Sequence, residues 1–152
     1  MAAVHVRSWQ ETYRGLMPDA VLDALDAIET RERFWLGALT DPRWASNRIA
    51  VGEVEGAIVG IAMTGPDAEM PGRRRLHVLY VLAAHHGGGL AQALLRQVTS
   101  DDAPTALWVA DPNPRAQAFY RKSGFVPDGV VRHIDGLREI EMVREATSFA
   151  ET

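Results

Sequence analysis

The chain contains no cysteine, so disulfides, thiolate metal sites and a cysteine nucleophile are all excluded. It has no apolar run long enough to cross a bilayer, and its start, MAAVHVRSWQ, lacks the basic-then-apolar pattern of a signal peptide. A cytoplasmic address is the resulting expectation, with no membrane partner. Positive charge is not in excess either. The formal net charge is −4, which argues against nucleic acid as the main partner. There is no internal repeat, no low-complexity stretch, no Gly-Lys-Ser/Thr after a glycine run and no Gly-x-Gly-x-x-Gly, which sets aside a nucleoside-triphosphate loop and a dinucleotide turn. What remains is an ordinary globular composition, 47% hydrophobic and 24% charged over 152 residues. That is enough chain for one domain, 1–152, with a real core.

Hydrophobic periodicity divides the chain into alternating helices and strands. Val6, Trp9 and Tyr13 share one helical face within Ala3–Arg14, and Gly15 stops that helix. Pro18-Asp19 opens a second, with Val21, Leu25, Ile28, Trp35 and Leu39 on a broad apolar stripe broken near Thr30, ending at Asp41-Pro42. Ile49–Val54 and Ala57–Met63 read as a hairpin about Glu55-Gly56. Pro66–Arg74 is a loop, and Leu76–Leu82 is apolar enough for a strand buried on both faces. Further elements are a helix carrying Leu90, Leu94 and Val98, a strand Thr105–Ala110, a helix from Pro114 to Ser123, and strands Phe125–Val131 and Arg138–Val143. The tail after Arg144 is expected to fray. The predicted fold class is α/β, a mixed and mostly antiparallel sheet with helices on both faces.

Two stretches carry chemistry. In Leu79-Tyr80-Val81-Leu82-Ala83-Ala84-His85-His86-Gly87-Gly88-Gly89-Leu90-Ala91-Gln92 a buried strand passes through a glycine-rich turn into a helix start. Free amides at a helix N-terminus bind anions, and glycines let a phosphate come close to the backbone. A diphosphate is a natural guest, although the same glycines also suit a turn that merely joins strand to helix. The second stretch runs Trp108-Val109-Ala110-Asp111-Pro112-Asn113-Pro114-Arg115-Ala116-Gln117-Ala118-Phe119-Tyr120-Arg121-Lys122-Ser123-Gly124-Phe125. On helical spacing alone Tyr120 reads rather as a core or surface tyrosine beside Phe119.

Taken in order, the two stretches resemble the Gcn5-related N-acetyltransferase (GNAT) superfamily. Its members commonly read strand, Gln/Arg-x-x-Gly-x-Gly/Ala, helix, and later Asn-x-x-x-x-x-x-Tyr-x-x-x-Gly-Phe. The resemblance runs from Val4 to Val143, and the N-terminal run His5–Pro18 is similar to one bacterial branch. It implies an acetyl-CoA-dependent N-acetyltransferase of acyl-CoA N-acyltransferase fold, with acetyl-CoA as co-substrate, no metal and an amine acceptor. A non-catalytic acyl-CoA-binding or sensing module is the alternative. The strand at Leu79, Tyr80 and Val81 would splay from its neighbour at a bulge and pair with the pantetheine arm. The amides from His86 through Gly87, Gly88, Gly89, Leu90 and Ala91 to Gln92 would hold the pyrophosphate. Asn113 and Phe119 would line the channel. Tyr120 would touch the cofactor and protonate the departing thiolate, as a phenol of ordinary pKa about 10 can. Trp9 and Tyr13 are expected in the acceptor pocket.

The sequence also departs from the family. His86 stands where Gln or Arg is usual, Gly88 where a cation is frequent, and Gln92 where Arg is frequent, so the loop keeps its amides but loses side-chain charge. Arg121, Lys122 or Arg96 are the candidates to compensate, with solvated surface as the other reading of each. An alkylamine of pKa about 10.4 must lose a proton, at roughly 4–5 kcal/mol near pH 7. The glutamates that match Trp108 in ribosomal-protein alanine acetyltransferases and Arg75 in the histone-modifying branch are absent. Arg75-Leu76-His77-Val78-Leu79 is instead similar to the His-Leu-His-Val-Leu strand of arylalkylamine acetyltransferases, which makes His77 the candidate base. Period-two alternation puts His77 on the face of Leu79 and Val81. A structural histidine bonded to backbone is the competing reading, and Asp111, Glu11 and Tyr13 are weaker candidates. His85-His86 are adjacent and lack the helical-turn spacing of zinc ligands. Family members usually begin with a strand before the first helix, so the first edge strand is expected to be missing, leaving an edge that a homodimer partner would cover.

Overall fold

Glu55 and Gly56 both adopt positive φ, 52° and 80°, the conformation of a two-residue hairpin turn whose twist matches its strands. They join β1 (Arg48–Val54) to β2 (Ala57–Pro66). Asp135 and Gly136, at φ 49° and 78°, do the same for β5 (Val126–Ile134) and β6 (Leu137–Arg144). Between the hairpins lie β3 (Arg74–Val81) and β4 (Thr105–Ala110), giving one six-stranded sheet in the order β1-β2-β3-β4-β6-β5. Every neighbouring pair is antiparallel except β3 with β4. The structure is a computed structural model in which residues 1–147 are described.

Helices cover both faces. On one, α4 (Leu90–Val98) and α5 (Pro114–Lys122) close a core of Ala62, Leu76, Val81, Leu94, Leu95, Val98, Leu107, Val109, Phe125 and Met142. On the other, α1 (Ala2–Tyr13) and α3 (Ala27–Thr40) pack Ala2, Val4 and Trp35 against Ile61, Met63 and Val78. Each large apolar side chain so buried contributes roughly 1.5–3 kcal/mol. The α4 face lies close to the sheet because two strand positions facing it are glycine. A β-carbon on Gly60 would stand 2.8 Å from Leu94 Cδ1, and one on Gly52 2.6 Å from Leu90 Cδ1.

The second predicted helix is broken at Asp23–Asp26 rather than near Thr30, leaving a single turn, α2 (Asp19–Leu22), before α3. Tertiary ties fix the break. Gln10 donates to the Leu22 carbonyl at 2.9 Å, and Arg14 pairs with Asp19 and Asp23 at 3.0 and 2.7 Å. The expected apolar stripe is not a core face. Leu25, Ile28 and Leu39 are exposed, and the burial falls on Leu22 and Trp35. Trp44 is likewise exposed. Among the described residues no helix is long and apolar enough to cross a membrane. β1 is a sheet edge, with Val51 and Val54 exposed along it.

Candidate active site

β3 and β4 stay together for only three pairs, Arg74 with Thr105, Arg75 with Ala106 and Leu76 with Leu107. Beyond them the strands part. On its other side β3 remains paired with β2 as far as Val81, opposite Gly60, but the register shifts between Met63 and Thr64 and leaves His77 as the extra residue. A bulge adds twist and bends its strand, and this one sits where β3 leaves β4. Backbone groups of Leu79–Val81 on the β4 side therefore have no partner strand. The parting opens a cleft of about 600 Å³.

The cleft collects most of the residues singled out from the sequence. Leu79, Tyr80 and Val81 line one wall, with Trp108, Val109 and Ala110 of β4 opposite. His86, Gly87, Gly89, Leu90, Ala91 and Gln92 of the loop and α4 also line it, as do Asn113, Ala116, Phe119 and Tyr120 of α5 and its cap, with His77 and Tyr13 on the wall as well. Gly88 and Trp9 are not on it; Trp9 stands behind Tyr13, ring centroids 6.3 Å apart. Gly87 and Gly89 take φ +83° and +84° with open space where a β-carbon would go, a conformation that glycine adopts without penalty. Gly89 precedes α4, whose first turn has no side-chain cap, so its leading amides are unfilled donors beside the cleft. At the facing helix Asn113 Oδ1 caps α5, accepting from the Ala116 amide at 3.1 Å, with Pro114 in the first turn.

Three tyrosines converge here. Tyr120 packs edge-on to Phe119 and Phe125, centroids 5.2 and 5.8 Å away. Burial, with a smaller contribution from Tyr13, pushes its pKa well above the ordinary phenol value. Burial also raises Tyr13 and Tyr80. All three are neutral donors at physiological pH. His77 is exposed at the cleft rather than buried, yet enough protein surrounds it that desolvation, then the Arg75 charge, lowers its pKa. Its predicted face does not hold, because alternation stops at the bulge. Leu76 and Val81 join the α4 core while Val78 joins the α1–α3 core. The His77 Nε2 lies 3.4 Å from where a β-carbon on Gly65 would sit, beside Asn47.

The weaker base candidates are engaged elsewhere. Glu11 accepts from the Ala83 amide at 2.8 Å and pairs with Arg7, and Asp111 pairs with Arg138. Trp108 lies under the Arg132 guanidinium at 4.4 Å, and Arg132 is held by Glu139 at 2.9 Å. Arg75, where a glutamate was sought, is buried with Arg73, Asp67 and Glu141 in a closed ion-pair cluster. Sequence reasoning missed Arg115, a cleft residue whose guanidinium reaches His86. An arginine at an exposed helix start gives no signal of its own. Among the described residues no three His, Asp or Glu side chains are grouped to hold a metal ion.

The family model described as acetyltransferase (GNAT) family matches residues 7–125. A probable N-acetyltransferase of Mycobacterium tuberculosis is 28% identical over 139 residues, covering 90% of this chain and 74% of its own. An uncharacterized N-acetyltransferase of Mycobacterium bovis is 37% identical over 119 residues, 74% of this chain and 71% of its own. Among solved structures, the PaiA N-acetyltransferase of Thermoplasma acidophilum, in complex with coenzyme A, superposes with a TM-score of 0.70 at 17% identity, over 95% of this chain and 89% of that one. An N-acetyltransferase of Staphylococcus aureus gives 0.63 at 20%, over 93% and 92%. The structural likenesses speak for the fold, and the family match extends across the cleft from α1 to Phe125. The chain belongs to the GNAT acetyltransferase family and is an N-acetyltransferase.

Proposed function

We propose that the chain moves the acetyl group of acetyl-CoA onto a primary amine by direct attack in the β3–β4 cleft. The observation that carries this reading is the parting of β3 from β4 at His77, which leaves an unpaired strand edge in a cleft that the uncapped start of α4 and Tyr120 also line. The residues fit the cofactor. The backbone of Leu79–Val81 offers the pantetheine arm a strand-like partner, and the amides of Gly87–Gln92 offer its diphosphate donors. The thioester supplies an activated acyl carbon. Trp108, Tyr13 and Tyr80 wall the acceptor side and exclude water. As the C–N bond forms and the C–S bond breaks, the Tyr120 hydroxyl, kept protonated by its raised pKa, gives its proton to the sulfur. His77, neutral at physiological pH because its pKa is lowered, accepts the proton that the ammonium form of the acceptor must lose.

The test is release of free thiol from acetyl-CoA across a panel of primary amines, beside a calorimetric titration with CoA. Tyr120→Phe is expected to lower turnover about 10²–10⁴-fold with CoA affinity little changed. Full turnover in that variant removes Tyr120 as the acid. No thiol release with any amine, despite CoA binding, removes the transfer reading.

A further inference from the structure

The glycine loop contains no cation between His86 and Gln92, yet a positive charge stands over it from another element. Arg115, the second residue of α5, lines the same cleft, and its NH1 lies 2.5 Å from His86 Nδ1. The other ring nitrogen, Nε2, lies 2.7 Å from the Val81 carbonyl oxygen. A carbonyl only accepts, so Nε2 carries the hydrogen and donates; a guanidinium only donates, so Nδ1 presents its lone pair. The imidazole is a neutral strut from the end of β3 to Arg115. Most arginines of this chain that meet a side chain meet a carboxylate, as Arg7, Arg14, Arg43 and Arg138 do. Arg115 has no carboxylate partner among the described residues. One of its five donors is used on His86, and the residue lines a cleft whose helix start also lacks a cap.

We propose that Arg115 is the cation that binds the cofactor's diphosphate, and that His86 is the positioning residue that holds it there. This rests on the acetyl-CoA reading above. It explains how a loop whose usual Gln/Arg position is histidine keeps a charged partner for phosphate: the charge has moved to α5, and the histidine accepts it. The guanidinium fork suits two phosphate oxygens at once. The enzyme should therefore discriminate between thiols that carry the diphosphate and thiols that carry only the pantetheine arm.

The experiment compares calorimetric affinities for CoA and for pantetheine, in the wild-type chain and in Arg115→Ala, Arg115→Lys, His86→Ala and the Arg115→Ala/His86→Ala double variant. Arg115→Ala is expected to weaken CoA binding by about tenfold or more and to leave pantetheine unchanged, with the melting temperature unaltered because the side chain is exposed. Arg115→Lys should fall between. His86→Ala should weaken CoA binding in the wild-type background but add little once Arg115 is gone, the coupling expected of a positioning residue. Equal losses for CoA and pantetheine, or no loss for either, overturn the proposal. So does full additivity of the two alanine variants, for the His86 role. A wild-type chain that does not bind CoA at millimolar concentration defeats the cofactor reading itself, which is a different result.

Discussion

On the proposed mechanism a single side chain, His77, takes the proton that the acceptor must lose. His77 is the extra residue of the β3 bulge, so it is not held by strand pairing on either side and its ring projects beside Gly65 at the cleft. Desolvation and the charges of Arg75 and Arg74 lower its pKa, with Asp67 opposing. A base acts in its unprotonated form, so kcat/KM for an alkylamine should rise with pH through a value below the ordinary histidine 6.5 and then level. In His77→Gln that limb should disappear and activity fall, with melting temperature nearly unchanged because the residue is exposed. An unchanged pH profile, together with a loss of several degrees of melting temperature, would make His77 a structural residue. The proton would then leave by another route through the cleft, whose wall also carries Tyr13 and Tyr80.

At the scale of elements, the site depends on how closely α4 lies on β1 and β2. A β-carbon on Gly60 would meet Leu94 Cδ1 at 2.8 Å, Leu90 Cδ2 at 3.3 Å and the Tyr80 carbonyl at 3.4 Å. Side-chain tips yield, but the carbonyl belongs to the strand that lines the cleft. Gly60→Ala should therefore destabilise the fold by about 1–3 kcal/mol, seen as several degrees of melting temperature, and weaken CoA binding as the start of α4 shifts. Gly88→Ala, with nothing nearer than 3.9 Å, should leave stability unchanged; if it matches Gly60→Ala, helix proximity is not the cause. Much of this architecture was legible in the sequence, because β2, β3 and β4 carry nearly continuous apolar runs and α4 a clear apolar face. Asp135-Gly136 is as plain a hairpin signal as Glu55-Gly56, and its strands run on to Ile134 and start at Leu137, beyond the Val131 and Arg138 that the apolar pattern marks. The break at Asp23–Asp26 was not legible, since it is set by Gln10 and Arg14 reaching over from α1. Nor was the bulge: its residues alternate acceptably in sequence, and only pairing with β2 shows that one is extra. Arg115 was hidden for a similar reason, its meaning lying in a contact 29 residues away.

Across the whole molecule, the cleft wall that carries Tyr80 leans on the joint between α1 and α3, and that joint is built on a buried histidine. His5 is 3% exposed, accepts from Trp35 Nε1 through Nδ1 at 3.1 Å, and packs against Phe34, Trp35 and Tyr80. Desolvation, and then the charge of Arg31, lower its pKa to about 3. The unfolded chain titrates near 6.5 and so binds more protons than the folded one between those values. The stability this neutral histidine contributes is thus fully present above 6.5 and declines as pH falls toward 3, by up to about 1.4 kcal/mol per pH unit. Asp67, whose pKa is lowered within its cluster with Arg73 and Arg75, adds acid sensitivity only at lower pH, while Glu141, raised chiefly by burial, works in the opposite direction. Between pH 6.5 and 4.5 His5 should therefore dominate, with His77, also lowered, adding acid sensitivity of the same sign. His5→Gln keeps an acceptor for Trp35 and cannot be protonated in this range. Urea midpoints measured from pH 7 to 4.5 should fall steeply for the wild-type chain and much less for the variant, even if the variant begins lower. Parallel curves would mean that some other group sets the acid limit. Because His5 packs on Tyr80, the same acid loosening should reach the cleft, with CoA affinity in the wild-type chain lost before global unfolding and retained further toward acid in His5→Gln.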